Sequence, residues 1–586
     1  MLLPRMTATL LRRRATPAAL ATFPTRWMHQ HSTPPPPPRQ DPSPSTMATA
    51  ATATALGLGA VGLTSYLSTD PTDPTDTVAT THHTSLFFPT TMAACASNNT
   101  GPDPTQTFYL RQEVAEHTTA EKGIWVTFEN GVYDITQFVE EHPGGVKRIM
   151  MAAGGRIDPF WKLYQQHFTD KVSDILKDLR IGTLHPDEEI IVDDSDPYAM
   201  EPERHPALLV RKAKPFNAET PKALMHESYL TPNALWYVRH HHPVPVVDPA
   251  TFQMAIKNQT HLAGNGEMTF ENVSSLSLQD IKTKYKKYEV VATMQCGGNR
   301  RDALNASGKT QGMCWDVGAI STAKWGGARL RDVLADVAGI RTLEDAEKMN
   351  VKHVHFLPLD PPYDSSIPIE KALHEYGDVL LAYEMNGETL PREHGYPIRI
   401  ITPGAIGARN VKWVNSIRLS SEEAESTWQR GVQYKGFSPN VKKFDKSIDP
   451  STRHSVQEMP VQSAITLFDE EVEEGETEVE ISGYAWSGGG RSIARVDITT
   501  DGGSTWSTAT LGKGHEQRVG RAWGWTLWTA TVQVPKGTNV GDSFQVACKA
   551  VDSSYNQQPE KVDTVWNLRG ILNNSWHTVN IKCVGE

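Results

Sequence analysis

Within Gln295-Cys296-Gly297-Gly298-Asn299-Arg300-Arg301 a thiol is followed by two glycines and two arginines. No other run constrains the fold as much. Adjacent glycines let the backbone approach something bulky, so the cysteine belongs in a tight loop rather than inside a helix or strand. Guanidinium groups beside a thiol favour the thiolate, the form that binds soft metals. Arginine side chains also fork onto phosphate and other oxyanions. A lone Cys-Gly-Gly is equally compatible with a structural cysteine beside a surface turn, so the flanking sequence has to decide.

A second chemical pattern lies upstream. Trp125-Val126-Thr127-Phe128 alternates as a strand does, Glu129-Asn130-Gly131 is turn-like, and Val132-Tyr133-Asp134-Ile135-Thr136 resumes extended structure. Phe138-Val139-Glu140-Glu141-His142-Pro143-Gly144-Gly145 follows, and its Pro-Gly-Gly holds the histidine in a loop. His167 comes next, in Tyr164-Gln165-Gln166-His167-Phe168. Taken singly, each histidine reads as a surface residue; facing each other, the two would supply both axial ligands of a haem iron.

At 586 residues the chain has room for roughly three to four domains of about 150 residues each. Hydrophobic residues make up 38% and charged residues 21%, enough for several packed cores, and the net charge of -11 argues against a general nucleic-acid binder. The cysteines (Cys95, Cys296, Cys314, Cys548, Cys583) are sparse and show no paired metal-ligand spacing, so no disulfide framework is expected. Residues 1–40 contain Arg5, Arg12, Arg13, Arg14, Arg26 and Arg39 and no acidic residue, the composition of a mitochondrial transit peptide. A weakly apolar stretch, Met47 to Leu67, then reads as a sorting segment that arrests import at the inner membrane. Its threonines and small residues make it a poor permanent anchor. Cleavage beyond it would leave a mature protein in the intermembrane space with no stable membrane anchor. The following residues, to about 105, are rich in Thr, Pro and Asp and read as disordered.

Two resemblances organise the rest. The His-Pro-Gly-Gly segment with His142 and His167, running through Ile181-Gly182-Thr183-Leu184, resembles a cytochrome b5 domain and implies a low-spin b-type haem on two histidines. The Cys296 run, with Trp315-Asp316-Val317-Gly318-Ala319-Ile320-Ser321 and Trp325-Gly326-Gly327-Ala328-Arg329-Leu330, resembles the molybdenum-cofactor domain of the sulfite oxidase family, animal type. There the equivalent cysteine is the one protein ligand of molybdenum, which leaves Cys314 no ligand role. In Tyr237-Val238-Arg239-His240-His241-His242-Pro243-Val244-Pro245 three consecutive histidines suggest zinc, but consecutive side chains diverge and no spaced partner exists. The resemblance instead gives Arg239 to the substrate anion and His241 to the molybdopterin cofactor, with Tyr237, Val238 and His240 beside it. It also places Asp360, His394, Arg399, Asn410, Val411 and Lys412 around the cofactor, Asn410 through its backbone, since some relatives have histidine there. Arg301, Arg569, the Trp315 wall and Tyr434 complete the implied pocket for sulfite. The chain is shorter than the family pattern just after Asp360.

The implied architecture is a multidomain α+β chain. A leader (1–105) precedes a cytochrome b5-like haem domain (106–185), an acidic hinge (186–204), a mixed α+β molybdopterin domain (205–455) and an immunoglobulin-like β-sandwich for homodimerisation (456–586). In the sandwich, Val479-Glu480-Ile481-Ser482 alternates, and the apolar phase slips by one after Gly483, to Tyr484 and Trp486, which suggests a bulge there. Thr499 to Trp506 fits a sialidase-type Asp-box, which a hairpin turn explains without sugar chemistry. The implied activity is oxidation of sulfite to sulfate, with electrons leaving singly through the haem to cytochrome c. The acidic hinge would let the haem domain swing and would help attract a basic acceptor. An assimilatory nitrate reductase would place its haem module after the molybdenum part and continue into a flavin domain, and Arg569 favours sulfite over nitrate. A non-catalytic haem-binding scaffold would not be expected to keep Cys296, Arg239, Tyr434 and Arg569. Direct transfer of electrons to oxygen would not need the complete haem module.

Overall fold

A computed structural model describes residues 107–163, 167–185, 197–262, 268–359, 363–445 and 447–585. The leader, the acidic run at 186–196 and Asp360 lie outside them. Among the described residues no helix is long and apolar enough to cross a membrane.

The strands expected around Glu129 form a hairpin, Gly123–Phe128 with Gly131–Asp134, and Glu129 takes a left-handed φ of 52° in the turn. Three more strands, Phe108–Tyr109, Arg180–Leu184 and Thr118–Thr119, complete a five-stranded sheet. Ile124, Val126, Tyr133, Ile135 and Val139 pack beneath it with Phe160 and Trp161. This apolar cluster continues into Ala207, Leu224 and Leu235, and the Phe160 and His205 rings meet edge to face at 4.5 Å.

The central region is mixed α+β and built on two sheets. One orders its strands Met268–Ser277, Gln253–Leu262, Val414–Ser420, His353–Pro358 and Ser365–Pro368. The other orders Lys287–Gln295, Ile320–Arg329, Leu380–Met385 and Glu388–Thr389, with Arg399–Ile401 also paired to Leu380–Met385. A small third sheet joins Leu209–Lys212, Asn217–Glu219 and Val238–Arg239. Glycine is required where Ile320–Arg329 crosses Leu380–Met385, because a Cβ on Gly327 would lie 2.1 Å from the Leu381 carbonyl oxygen.

The C-terminal region is a two-sheet sandwich. Gln462–Leu467, Glu478–Trp486, Thr526–Gln533 and Thr510–Leu511 face Glu471–Glu473, His577–Val584, Ser543–Asp552, Ile493–Thr499 and Ser507–Thr508. Strand Glu478–Trp486 pairs without interruption with Thr526–Gln533, but its other pairing shifts register at Gly483, where Gly483 and Ser482 face Ile465 and Leu467, so the bulge expected there is present with its extra residue on the partner strand. The apparent phase slip is a second buried face. Val479, Ile481 and Ala485 point into the sandwich core, whereas Tyr484 and Trp486 point the other way, into a cluster with Met225, Val317 and Ile320 of the central region. The Asp-box segment is the hairpin between Ile493–Thr499 and Ser507–Thr508. The Asp501 carboxylate accepts from Thr505 N (2.9 Å), Thr505 Oγ1 (2.6 Å) and Thr499 Oγ1 (2.7 Å), bonds that hold its pKa down to about 2. Its oxygens are used in shaping the turn.

Candidate functional site

Strand Lys287–Gln295 ends at the second layer, and the chain turns at once through Cys296 to Arg300 before helix Arg301–Ser307. Cys296 is buried, its N–H bonded to the Ala319 carbonyl at 3.0 Å. Asn299 secures the turn by accepting from Ala319 N (3.0 Å) and donating to Tyr484 Oη (3.1 Å). A Cβ on Gly297 would stand 2.6 Å from Ile406 Cδ1, so the glycine lets the loop lie against that wall.

The two arginines part company. Arg300 takes a left-handed φ of 61° and sends its guanidinium away from the thiol, onto the Ser575 (2.7 Å) and Trp576 (2.9 Å) carbonyls of the sandwich. It anchors domains and is turned from any anion at Cys296. Arg301 stays close. Its Nε donates to the Gly570 carbonyl at 2.8 Å, and Cβ atoms on Gly298, Gly312 or Gly570 would each fall within 3 Å of its guanidinium. Burial holds its pKa below the ordinary value, and its charge is felt by Cys296, Arg239 and Tyr434.

Cys296 opens onto a partly open cavity of about 100 Å³. Tyr237, Arg239, His240, His241, His394, Arg399, Asn410, Val411, Lys412 and Tyr434 line it. Val238 differs in direction, its side chain packing with Leu208 and Ala218. Trp315 is buried behind Cys296 in one apolar cluster with Trp236 and Tyr237, and it lies off the cavity lining together with Arg301 and Arg569. Arg569 donates to Gln311 Oε1 at 2.9 Å and to Gln433 Oε1, next to Tyr434.

The consecutive histidines diverge. His240 Nε2 donates to the Glu393 carbonyl at 3.2 Å, whereas His241 stacks on Tyr363 at 5.4 Å and takes Arg239 Nη2 on its Nδ1 at 3.4 Å. Burial pushes both rings far below the usual histidine range, and neighbouring cations reinforce it, so both are neutral. His394 is likewise pushed down by burial, to about 3. Among the described residues no group of three or more metal-ligating side chains exists, and Cys314 is exposed, accepting from Asn305 Nδ2 at 3.3 Å.

The cavity is strongly cationic. Arg399 donates to the His394 carbonyl (3.0 Å), the Asn410 carbonyl (3.3 Å) and Met294 Sδ (2.7 Å). Lys412 donates to the Arg239 (3.3 Å) and Glu393 (3.2 Å) carbonyls. Among the described residues none of the bonds from Arg239, Arg399 or Lys412 ends on a carboxylate. Burial lowers Arg399 to about 10 and Lys412 well below its usual value, the second also through repulsion by Arg399. Arg399 Nε and His240 Nδ1 are buried without a hydrogen-bond partner. Buried cations and orphaned polar atoms are costly until an anion meets them, so this donor set fits a phosphate-bearing, anionic cofactor. Asn410 lines the cavity, but its side chain is spent on Thr402 N (2.7 Å) and the Ile406 carbonyl (3.2 Å), and its backbone is engaged too, the N–H with the Gly407 carbonyl (3.0 Å) and the carbonyl with Arg399 (3.3 Å). Trp236, Met294, Tyr363 and Trp413 also line it and have no charge or loop signature in the sequence to betray them, and His242, read there only as one of three consecutive histidines, joins them.

The upstream histidines meet. The His142 and His167 rings are parallel within 3° with centroids 6.3 Å apart. Two imidazole nitrogens at about 2 Å from one shared metal, plus the radius of each ring, account for that separation. His142 Nδ1 donates to the Gly145 carbonyl at 3.4 Å, a bond that helps orient the ring. Trp161 lies parallel to His167 at 5.3 Å. Gly144 is needed at its place, since a Cβ there would sit 2.7 Å from His142 Cε1. Gly144→Ala is therefore expected to lower haem content, read as the Soret-to-protein absorbance ratio, with molybdenum content unchanged.

Family descriptions match all three regions. Residues 111–185 match a cytochrome b5-like heme/steroid binding domain, 241–428 an oxidoreductase molybdopterin binding domain, and 453–584 a Mo-co oxidoreductase dimerisation domain. The chain is 46% identical over 479 residues to the mitochondrial sulfite oxidase of Homo sapiens, spanning 81% of this chain and 84% of that protein. The chain belongs to the sulfite oxidase family. The sulfite oxidase of Gallus gallus is 45% identical over 475 residues, spanning 81% of this chain and all of that protein (100%). Among solved structures, the sulfane dehydrogenase SoxCD from Paracoccus pantotrophus shares the fold, with a TM-score of 0.50 at 23% identity over 67% of this chain and 92% of that one. Membership of the sulfite oxidase family, with a molybdopterin binding domain and a cytochrome b5-like domain, gives the chain two cofactors, molybdopterin and haem b.

Proposed function

We propose that this protein is a homodimeric, mitochondrial sulfite oxidase of the intermembrane space that oxidises sulfite to sulfate and passes the electrons singly through its haem to cytochrome c. The observation that carries the reading is the convergence of Cys296, Arg239 and Tyr434 on one cationic cavity, in a chain that also holds a paired-histidine site. The reaction takes sulfite and water to sulfate, two protons and two electrons. Molybdenum on Cys296 supplies the two-electron redox change and the oxygen transfer when bound.

The protein's own residues bind and orient. Arg239 presents a fixed guanidinium to the dianion, and Arg301 adds positive charge from its glycine cage. Tyr434 is raised above the usual tyrosine pKa by burial and by Cys296, so its hydroxyl stays protonated and can serve a bound anion as a donor. Arg569, off the cavity lining but bonded to Gln433 next to Tyr434, is given to the substrate anion by the family resemblance. Trp315 keeps the rear of the thiol dry. His142 and His167 hold the relay, and the acidic run at 186–196 serves as its tether. The arginine-rich leader is the import signal, consistent with the mitochondrial relatives.

Arg239→Gln keeps hydrogen-bonding capacity and deletes one charge. The KM for sulfite is expected to rise and kcat/KM to fall by roughly tenfold or more, the worth of one charged hydrogen bond. Unchanged steady-state kinetics would place Arg239 outside the substrate pocket. Sulfite addition should reduce the haem, and nitrate should not reoxidise it; steady nitrate turnover would favour a nitrate reductase instead.

A further inference from the structure

Arg239 does not hold its own direction. Strand Asn217–Glu219 pairs with Val238–Arg239, with Asn217 directly opposite Arg239. Asn217 is completely buried, at 0% exposure. Its Oδ1 accepts from Arg239 Nη1 at 3.1 Å and from His240 N at 2.9 Å. Its Nδ2 donates to the Pro215 carbonyl at 2.8 Å, which fixes the amide, because a flipped group would set NH2 against two donors. The same Nη1 reaches the His240 carbonyl, and Nη2 reaches His241 Nδ1 at 3.4 Å. One guanidinium edge is thus held by neutral acceptors. A carboxylate in the position of the Asn217 amide would meet the same two donors and would also neutralise the charge that an anionic substrate needs.

We propose that Asn217 is a positioning residue for anion binding: a buried neutral amide that aims the Arg239 guanidinium into the cavity without cancelling its charge. The inference rests on the reading in which Arg239 meets sulfite. It is tested on the holoenzyme with Asn217→Asp, Asn217→Ala, Arg239→Gln and the double variant Asn217→Ala/Arg239→Gln. Molybdenum and haem contents are measured beside sulfite kinetics and competitive inhibition by sulfate. Asn217→Asp is expected to raise the KM for sulfite and the inhibition constant for sulfate together, by about tenfold or more, with kcat changing much less. Asn217→Ala should raise both by a smaller factor, and the double variant should be no worse than Arg239→Gln alone.

Three results separate the possibilities. If Arg239→Gln raises KM while both Asn217 variants stay within about twofold of the parent, the inference is overturned and the substrate reading stands. If Arg239→Gln leaves KM unchanged, the substrate reading itself fails. Should Asn217→Asp not load molybdenum, the Asn217→Ala pair decides: multiplicative effects in the double variant would show that Asn217 acts independently of Arg239.

Discussion

Cys296→Ser is expected to abolish sulfite oxidation while the pterin group stays bound. Serine fits the space of cysteine, and the loop is held by its own backbone bonds, Cys296 N to the Ala319 carbonyl at 3.0 Å and Leu572 N to the Gly297 carbonyl at 2.8 Å. The fold therefore has no reason to change. What changes is the donor: an alcohol or alkoxide is harder than a thiolate and a poorer match for a soft site. Replacing residues that merely support a metal ligand costs about 10- to 100-fold, so losing the ligand should cost more than that. His394, Arg399 and Lys412, the cavity residues proposed for the pterin group, lie on other segments and keep their bonds. Sulfite turnover, pterin content and the haem spectrum together make the measurement. Turnover within about tenfold of the parent protein would remove the ligand assignment.

His167→Ala should divide the reaction in two. Loss of one of two parallel imidazoles leaves haem five-coordinate or lost, and cytochrome c reduction should drop to background. The molybdenum-binding cavity takes none of its lining from the haem domain, so sulfite oxidation with ferricyanide, small enough to be reduced at the cavity directly, should continue. An optical spectrum reports the haem, and the two acceptors report the two halves. Full cytochrome c reduction in His167→Ala would mean that the haem is no obligatory relay. Loss of both activities would mean that removing haem disturbs the central region, which the shared cluster of Phe160, Ala207, Leu224 and Leu235 makes the structural alternative.

The parts of these sites that sequence disclosed are those in which chemistry and backbone demand coincide locally. Gly297 and Gly298 beside Cys296, or Pro143 and Gly144 beside His142, announce a loop and its cargo within a few residues. Residues whose role depends on distant partners gave no such signal. Asn217 is one amide in an unremarked strand, and only pairing with Val238–Arg239 gives it a purpose. Arg300 and Arg301 look alike in the sequence and diverge because one meets carbonyls of Ser575 and Trp576 and the other glycines 298, 312 and 570. The partners of Tyr484 and Trp486 were hidden for a related reason. Period-two reasoning assumes one buried face, and this strand buries the second against another domain.

Arg300 has a consequence for how the metal-binding turn is built. Its left-handed backbone, an unfavourable conformation for a residue with a Cβ, is held by bonds to Ser575 and Trp576, which lie 275 and 276 residues further along, and Asn573 caps its carbonyl at 2.9 Å. The Cys296 turn adjoins that residue, and Leu572 closes it. The shape of the thiol loop is thus set jointly by its own strand and by a segment more than 270 residues away, so the metal-binding turn is a joint product of the central and C-terminal regions.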